Sequence, residues 1–543
     1  MKNYNSENLE KIEKVARATI DFIKKHPNIS KDKITNIKGK FAKENNYNGV
    51  IKNATVLKYL KKGEELVVLP KLKRRSTRTL SGVSVIAIMT KPLPCPGSCI
   101  YCPGEESQPG EKVAKSYTGQ EPAALRSIHN DYDAYKQVKS RINDLEAIGH
   151  KVDKIELIIM GGTFLSTDYN YQKQFIKSAY EAIIDEEVNT LTEAKILAEH
   201  SNKRLIGLTI ETRPDYCNEK DVDLMLDYGT TRVELGIQTV YNEIYDLVNR
   251  QHTTKESINA IRIAKDSALK VNAHIMPNLP GSDYDMDFEM FKHLFNNPDY
   301  RPDMLKIYPC LVLKGTKLYD WWKQGKYTPY TTDELVNLIA NVKKDLPPYV
   351  RIQRIMRDIP APLIQAGCNK SNLRQLIQNK LKEEGSSCNC IRCREYGFFN
   401  EKKFNYADFL HDIKLKRLDY DASKGYEIFL SYENHPKNFL VGYLRLRKPS
   451  QLAHRLELSD GNTMIVREIK VVGELVPTDI EPTRKTQIQH RGFGTKLMEN
   501  AEKIAREDFD MKKLSVISGI GARDWFYDLG YTLDGPYVSK SLT

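Results

Sequence analysis

Nowhere in the 543 residues does an apolar run approach the roughly 18–20 residues that a membrane span requires. The start, Met1-Lys2-Asn3-Tyr4-Asn5-Ser6, lacks the apolar core of a signal peptide. Cysteine is scarce, nine in all, and most of it sits in two tight clusters at 95–102 and 388–393. That distribution argues against a disulfide scaffold and for metal binding in a reducing cytoplasm. Internal repeats and low-complexity tracts are absent, so a repeat array is not expected. Acidic residues number 71 against 83 Lys and Arg, and the net charge of +12 permits a polyanionic partner such as nucleic acid.

The chain is too long for one ordinary domain. Residues 1–80 read as a basic helical region. Leu9, Ile12, Ala16, Ile20 and Ile23 recur at helical spacing behind Ser6, Pro27 follows, and a second helix begins near Ser30. The region closes on the cationic run Lys71, Lys73, Arg74, Arg75 and Arg78, either a solvated segment or a nucleic-acid arm. From 81 to 309, apolar runs alternate with helical stretches. Val83–Met89, Ile155–Met160, Leu205–Ile210, Arg232–Gly236, Val271–Met276 and Met304–Tyr308 are the expected strands. Six such repeats predict an α/β fold, a partial (β/α)6 barrel with functional residues at the C-terminal ends of its strands. Residues 310–403 read as a connector, and 404–543 as a smaller α/β domain. Its expected strands are Tyr426–Tyr432, Phe439–Arg445, Met464–Val472 and Leu514–Ser518, with a helix from Gly492.

The first cluster, Cys95-Pro-Gly-Ser-Cys99-Ile-Tyr-Cys102, follows the first expected strand. Three thiolates this close can each ligate one iron of a 4Fe–4S cube and leave the fourth iron open to a small molecule. That is the arrangement of radical S-adenosylmethionine (SAM) enzymes. A zinc knuckle is the competing reading, but no nearby His or Cys completes a tetrahedron. Gly161-Gly162-Thr163 at the next strand end lets the backbone approach a ligand, here the SAM amino group, or is simply a tight turn. Glu211 and Arg213 end the third strand, as a surface ion pair or with Arg213 clamping a cofactor carboxylate. Gln238, and Asn272 with His274 and Met276, occupy comparable positions, the last three on the face expected to line the lumen. Cys388, Cys390 and Cys393 suit a structural zinc if Cys310 or Cys368 supplies a fourth ligand; free thiols are the alternative. Gln489-His-Arg491-Gly492-Phe493-Gly494-Thr495 before a helix resembles the coenzyme A loop of GNAT acyltransferases, where free N–H groups meet a pyrophosphate.

The pairing of these two domains resembles the family of the Elongator catalytic subunit and its free-standing archaeal and bacterial relatives. The likeness runs through residues 95–104, 116–122, 160–164, 211–215, 234–238, 276–281 and 489–494. It implies a tRNA uridine 5-carboxymethyl synthase acting at the wobble uridine, position 34. Acetyl-CoA would sit in the GNAT domain and a deoxyadenosyl radical would abstract hydrogen from its acetyl methyl. By position, Lys154 would touch acetyl-CoA from the radical domain, in a cleft shared with the Gln489–Thr495 loop. Glu468, Ile469, Lys470 and Val471, with Phe493 to Thr495, would hold the rest, and the basic N-terminal region would bind tRNA. Where many relatives carry a Tyr-Tyr pair, this chain has Trp525-Phe526; the resemblance implies that Phe526 contacts acetyl-CoA and that a phenol at the thioester is either absent or supplied by Tyr527. The remaining alternative is a protein lysine or histone N-acetyltransferase with a structural cluster domain and Glu468 as base. An electron donor is implied; whether the chain acts alone or as a homodimer is left open.

Overall fold

The computed structural model describes residues 6–61, 63–72, 82–104, 112–395, 411–434, 436, 438–472 and 492–543. Contacts divide the chain into two compact units, residues 1–84 with 139–154, and residues 85–138 with 155–543. The first unit is helical, with Ser6–Lys25 and Lys31–Glu44 as its long helices and Asn53–Leu57 and Glu65–Leu72 as short ones. The expected apolar stripe is its core: Ile12, Ala16, Ile20 and Ile23 bury against Ile34, Val56, Val68 and Leu72. Glu64 ties the helices together, accepting from Arg17 Nη1 at 2.8 Å and Lys24 Nζ at 2.9 Å. Those two partners and the Lys61 amide hold its carboxyl far below the usual range.

The second unit carries two seven-stranded sheets. In chain order the strands are β1 Val83–Met89, β2 Lys154–Met160, β3 Arg204–Thr212, β4 Arg232–Gln238, β5 Lys270–Ile275, β6 Met304–Ile307, β7 Val312–Leu313, β8 Arg351–Ile355 and β9 Ile364–Ala366. Strands β10 Ile413–Ala422, β11 Gly425–Asn434, β12 Phe439–Lys448, β13 Thr463–Val471, β14 Lys513–Val516, β15 Thr532–Asp534 and β16 Tyr537–Ser541 complete the set. The first sheet runs β1-β2-β3-β4-β5-β6-β8 and does not close, a half-barrel whose pairs from β3 to β8 are parallel. Six of its strands are the expected ones. The seventh, β8, comes from the stretch read as a connector and extends the sheet past residue 309.

The second sheet runs β10-β11-β12-β13-β14-β16-β15, antiparallel except for the β13–β14 pair. One face packs Leu444, Leu446, Met464 and Val466 against Leu497, Met498 and Ala501 of the helix Phe493–Glu507. The other face carries Arg445, Arg447 and Arg467, all fully buried. Arg467 forks onto Asp303 (Nη1 to Oδ2 2.8 Å, Nη2 to Oδ1 2.5 Å) and reaches Glu427 at 3.0 Å. Arg447 joins Glu427 at 3.0 Å to Asp266 at 2.6 Å. Arg445 donates to Glu468 at 2.9 Å and to the Tyr349 carbonyl at 2.8 Å. Asp303 immediately precedes β6 and Asp266 lies four residues before β5, so this sheet seats against the N-terminal ends of the half-barrel strands. No helix among the described residues is long and apolar enough to cross a membrane.

Burial alone would raise the Asp303 pKa, but Arg467, Lys265 and Arg445 outweigh it and hold the carboxyl far below its usual range. Removing one partner from such a network leaves an uncompensated buried charge. Asp303→Asn should therefore cost about 3–5 kcal/mol, seen as an earlier thermal unfolding of the whole chain. A loss within the scatter of surface substitutions would show that the arginines find other partners.

Candidate functional site

The loop after β1 carries Cys95, Cys99 and Cys102. It is pinned by backbone bonds from Ile100 to the Val248 carbonyl (3.1 Å) and from Leu318 to the Ile100 carbonyl (3.0 Å). Asn249 adds a bond to Ser98 Oγ at 2.5 Å. Cys99 is buried while Cys95 and Cys102 are half-buried. Ser116 Oγ lies 3.2 Å from Cys102 Sγ, and Thr163 Oγ1 lies 3.8 Å from Cys95 Sγ. Burial and the neighbouring Cys99 push the Cys102 thiol up to about 11, against the opposing pull of Ser116 and Lys115.

Arg213 leaves β3 toward this loop. Asp215 accepts from its Nε and Nη2, both at 2.9 Å, and the Gln251 carbonyl accepts from Nη2 at 3.3 Å. Its Nη1 is buried with no partner. A Cβ on Gly97 would fall 2.0 Å from that atom, so glycine lets the cysteine loop pass Arg213 in its present position. In place of the surface ion pair expected at Glu211 and Arg213, Arg213 makes a largely buried pair with Asp215, which leaves one donor of the fork aimed at the cysteine loop.

The strands deliver the other expected residues to one face. Gly161 and Gly162 turn at the end of β2 with φ of 131° and 70°, and Thr163 follows, buried. Gln238 ends β4 at φ 72°, its Oε1 buried and unpartnered, as are both amide atoms of Asn272 on β5. His274 Nε2 lies 2.7 Å from Glu234 Oε2, Lys306 bridges Glu234 and Glu211, and Tyr117 donates to Glu211 at 2.9 Å. Burial pushes the Glu234 carboxyl up, but Lys306, His274 and Arg232 overcome this and hold it well below its ordinary value. Met276 leaves this face and packs beside Cys99 and Ile100. Glu234 and Lys306 were not singled out for the site, although the period-two spacing that selected Asn272 and His274 also marks them. Arg250 was missed as well: its Nη1 donates to Cys99 Sγ at 3.5 Å, and its Nε donates to His252 Nε2 at 3.1 Å. Burial and the Arg250 charge lower the His252 pKa to about 3, which keeps that imidazole a neutral acceptor.

Cys388, Cys390 and Cys393 lie with their sulfurs within 4.8 Å of one another. Neither proposed fourth ligand joins them: Cys368 Sγ accepts from Thr332 at 3.7 Å, and Cys310 lies buried beside Tyr327. Among the described residues no other His, Asp or Glu completes the group. Lys343 Nζ lies 3.4 Å from Cys393 Sγ instead.

In the C-terminal sheet, Gly492 at φ 76° opens the helix Phe493–Glu507, placing Phe493, Gly494 and Thr495 in its first turn. Phe493 packs on Tyr432 with ring centroids 5.1 Å apart. Glu468 begins the β13 run with Ile469, Lys470 and Val471, but its carboxylate is already taken by Tyr443 (2.9 Å) and Arg445 (2.9 Å). Phe526 is 4% exposed and belongs to the sheet's core rather than to an open surface. Trp525 is the aromatic that flanks Gly494. The Tyr527 hydroxyl donates to Glu199 at 2.5 Å, and burial with that carboxylate raises its pKa to about 12. Lys71 sits in the last turn of its helix and Lys154 opens β2. Lys73, Arg74, Arg75, Arg78, Gln489 and Arg491 lie outside the described residues.

The radical SAM superfamily profile matches residues 94–294, and the radical SAM C-terminal domain profile matches 302–383. The half-barrel and its cysteine loop are thus those of a radical SAM enzyme, a class that uses a 4Fe–4S cluster and SAM. The chain is 47% identical over 491 residues to the tRNA uridine(34) acetyltransferase of Methanocaldococcus jannaschii, covering 90% of each. It is 43% identical over 482 residues to Elongator complex protein 3 of Saccharomyces cerevisiae, covering 88% of this chain and 86% of that one. A solved structure of archaeal Methanocaldococcus infernus Elp3 with an N-terminal deletion superposes at a TM-score of 0.74. That match has 42% identity and covers 85% of this chain and 99% of that one. The chain belongs to the Elongator complex protein 3 family.

The residues present fit the class's cofactors. Three thiols share one short loop, and the unpartnered Arg213, Gln238 and Asn272 atoms await a polar ligand. Gly97→Ala should force Arg213 or the loop to move, costing about 1–3 kcal/mol as over-packing does. Thermal unfolding checks this, and an unchanged midpoint would show that the guanidinium yields freely.

Proposed function

We propose that this chain forms 5-carboxymethyluridine at the wobble uridine of tRNA, taking the two-carbon unit from acetyl-CoA. The observation that carries the reading is one compact unit holding both the cysteine-loop half-barrel, with its unsatisfied lumen donors, and a sheet with a glycine-opened helix of GNAT type. The names of the relatives, which specify tRNA uridine 34 and Elongator, support the substrate.

In this reading residues 1–80 engage tRNA through Lys71, Lys73, Arg74, Arg75 and Arg78. Residues 81–309 form the radical core, 310–403 the connector and 404–543 the acetyl-CoA domain. Cys95, Cys99 and Cys102 ligate the cluster, which with SAM supplies a 5′-deoxyadenosyl radical when an external donor gives an electron. Gly161, Gly162 and Thr163 receive the SAM amino group along the strand-end backbone, and Arg213 Nη1 meets its carboxylate. Glu211, Gln238, Asn272 and His274 line the remainder. On the acetyl-CoA side the free N–H groups of Phe493, Gly494 and Thr495 suit a pyrophosphate. Lys154, Gln489, Arg491 and the 468–471 strand complete the cleft, and Tyr527 or Trp525 flanks the thioester. Cys388, Cys390 and Cys393 hold a structural zinc. Amine acetylation is the weaker reading, because Arg445 and Tyr443 already occupy Glu468. Although burial opposes ionisation there, Arg445 and Lys270 keep its carboxyl below the ordinary range, which suits an ion-pair partner better than a base.

Cys99→Ser tests the radical step. With SAM, a reductant, acetyl-CoA and unmodified tRNA under anaerobic conditions, the native chain should yield a heavier uridine on nucleoside mass analysis. The variant should yield none while still binding acetyl-CoA, and persistence of the product would refute the radical route. Elemental analysis should find zinc in the native protein and lose it in Cys390→Ser. Native protein with no zinc would reassign those thiols.

A further inference from the structure

Arg250 is 8% exposed and lies against the one buried cysteine of the loop. Three acceptors fix its guanidinium: the Gly236 carbonyl at 2.5 Å, His252 Nε2 at 3.1 Å and Cys99 Sγ at 3.5 Å. The seat is built for it. A Cβ on Gly236 would come within 2.7 Å of Arg250 Nη2, so a larger residue at that point of β4 would push the guanidinium from this seat. Asn249 and Gln251, on either side, adopt left-handed backbone with φ of 55° and 62°. Residues bearing side chains rarely take that conformation, and such strain persists where the surroundings over-determine it. The same turn holds the cysteine loop through the Val248 carbonyl and Asn249, and holds Arg213 through the Gln251 carbonyl.

The other two cysteines have no such neighbour in hydrogen-bond range. Cys95 is approached by the Gly97 amide and the Thr163 hydroxyl, and Cys102 by the Ser116 hydroxyl, all neutral. Lys115 Nζ is committed to the Gly97 carbonyl at 2.8 Å. A guanidinium stays protonated throughout the working pH range, so Cys99 faces a permanent cation with a directed N–H. Hydrogen bonds to ligating sulfur and local charge set the potential of an iron–sulfur cluster. Reduction adds an electron, and a buried cation beside one ligand favours the more negative state.

We infer that Arg250 is a positioning residue that raises the reduction potential of the cluster through Cys99, and so makes the first electron transfer easier. The inference rests on the three cysteines holding the cluster and is independent of which product the enzyme makes.

The test is an anaerobic potentiometric titration of the reconstituted full chain, with the reduced cluster read by electron paramagnetic resonance and iron and sulfide counted per chain. Arg250→Met should lower the reduced-to-oxidised ratio at fixed potential about tenfold, which is about 59 mV for a one-electron couple. Arg250→Lys should fall between Met and native. If the Met variant holds no cluster, Arg250→Lys and Arg250→Gln are compared, and a higher potential for Lys is expected. Equal potentials in the cluster-bearing variants would overturn the inference. So would loss of the cluster from all three, which would assign Arg250 to folding of the loop alone. Native protein that takes up no iron and sulfide would instead sink the cluster assignment itself, a separable outcome.

Discussion

Asp303 is the point at which the two sheets of the second unit depend on one another. Its carboxylate caps the start of β5 through the Val271 amide at 2.8 Å and receives both arms of Arg467 from β13. Around it Lys265, Arg445, Glu427, Arg447 and Asp266 alternate in sign with almost no exposure to water. Buried ions are costly unless each is paired in good geometry, so this junction tolerates one docking register and penalises others. That constraint decides where every functional element of the C-terminal sheet stands relative to the half-barrel.

The consequence is a half-barrel with the cysteine loop at one end of its strands and the C-terminal sheet at the other. The cysteine loop and the unpartnered Arg213 and Gln238 atoms belong to the C-terminal ends of the strands, while the unpartnered Asn272 amide lies nearer the start of β5. Glu468 and Lys470 sit beside Glu156, Arg232 and Lys270 at the strand starts. A strand of seven residues such as β4 spans about 20 Å at roughly 3.3 Å per residue. The cysteine loop and the C-terminal sheet thus lie at opposite ends of the half-barrel strands. Between them runs a polar column of Arg232, Glu234, His274, Lys306, Glu211 and Tyr117, each charge matched by its neighbour. Such a column keeps the lumen hydrophilic while leaving no isolated charge to trap a ligand.

Much of this was legible from residue pattern. The near-continuous apolar runs of a sheet covered on one side by helices located six of the seven half-barrel strands. The cysteine spacing and the strand-end glycines located the cofactor end. Three things were hidden, each for a physical reason. Strand β8, Arg351-Ile-Gln-Arg-Ile, is short and carries two arginines, and reads as connector because Arg351 is satisfied only by the distant Glu395. Arg445, Arg447 and Arg467 alternate with apolar residues as a solvated sheet face does, and nothing local reveals that the face is buried. Arg250 sits in a turn held by backbone strain and a glycine on another strand, a relation between distant positions that no spacing rule encodes. In the other direction, the expected role of Phe526 came from the family's Tyr-Tyr pair, and that of Cys310 or Cys368 as a fourth ligand from chemical type alone. The fold places Phe526 in a core and leaves both cysteines apart from the trio.

The claim that half-barrel and C-terminal sheet act as one enzyme is tested most directly by isotope transfer. The chain is supplied with SAM, reductant, tRNA and acetyl-CoA deuterated on its acetyl methyl, and the released 5′-deoxyadenosine is weighed. The account predicts deuterium in that product. Deoxyadenosine formed in quantity without deuterium would contradict it, because the radical made at one end would then never have met the acetyl group held by the other.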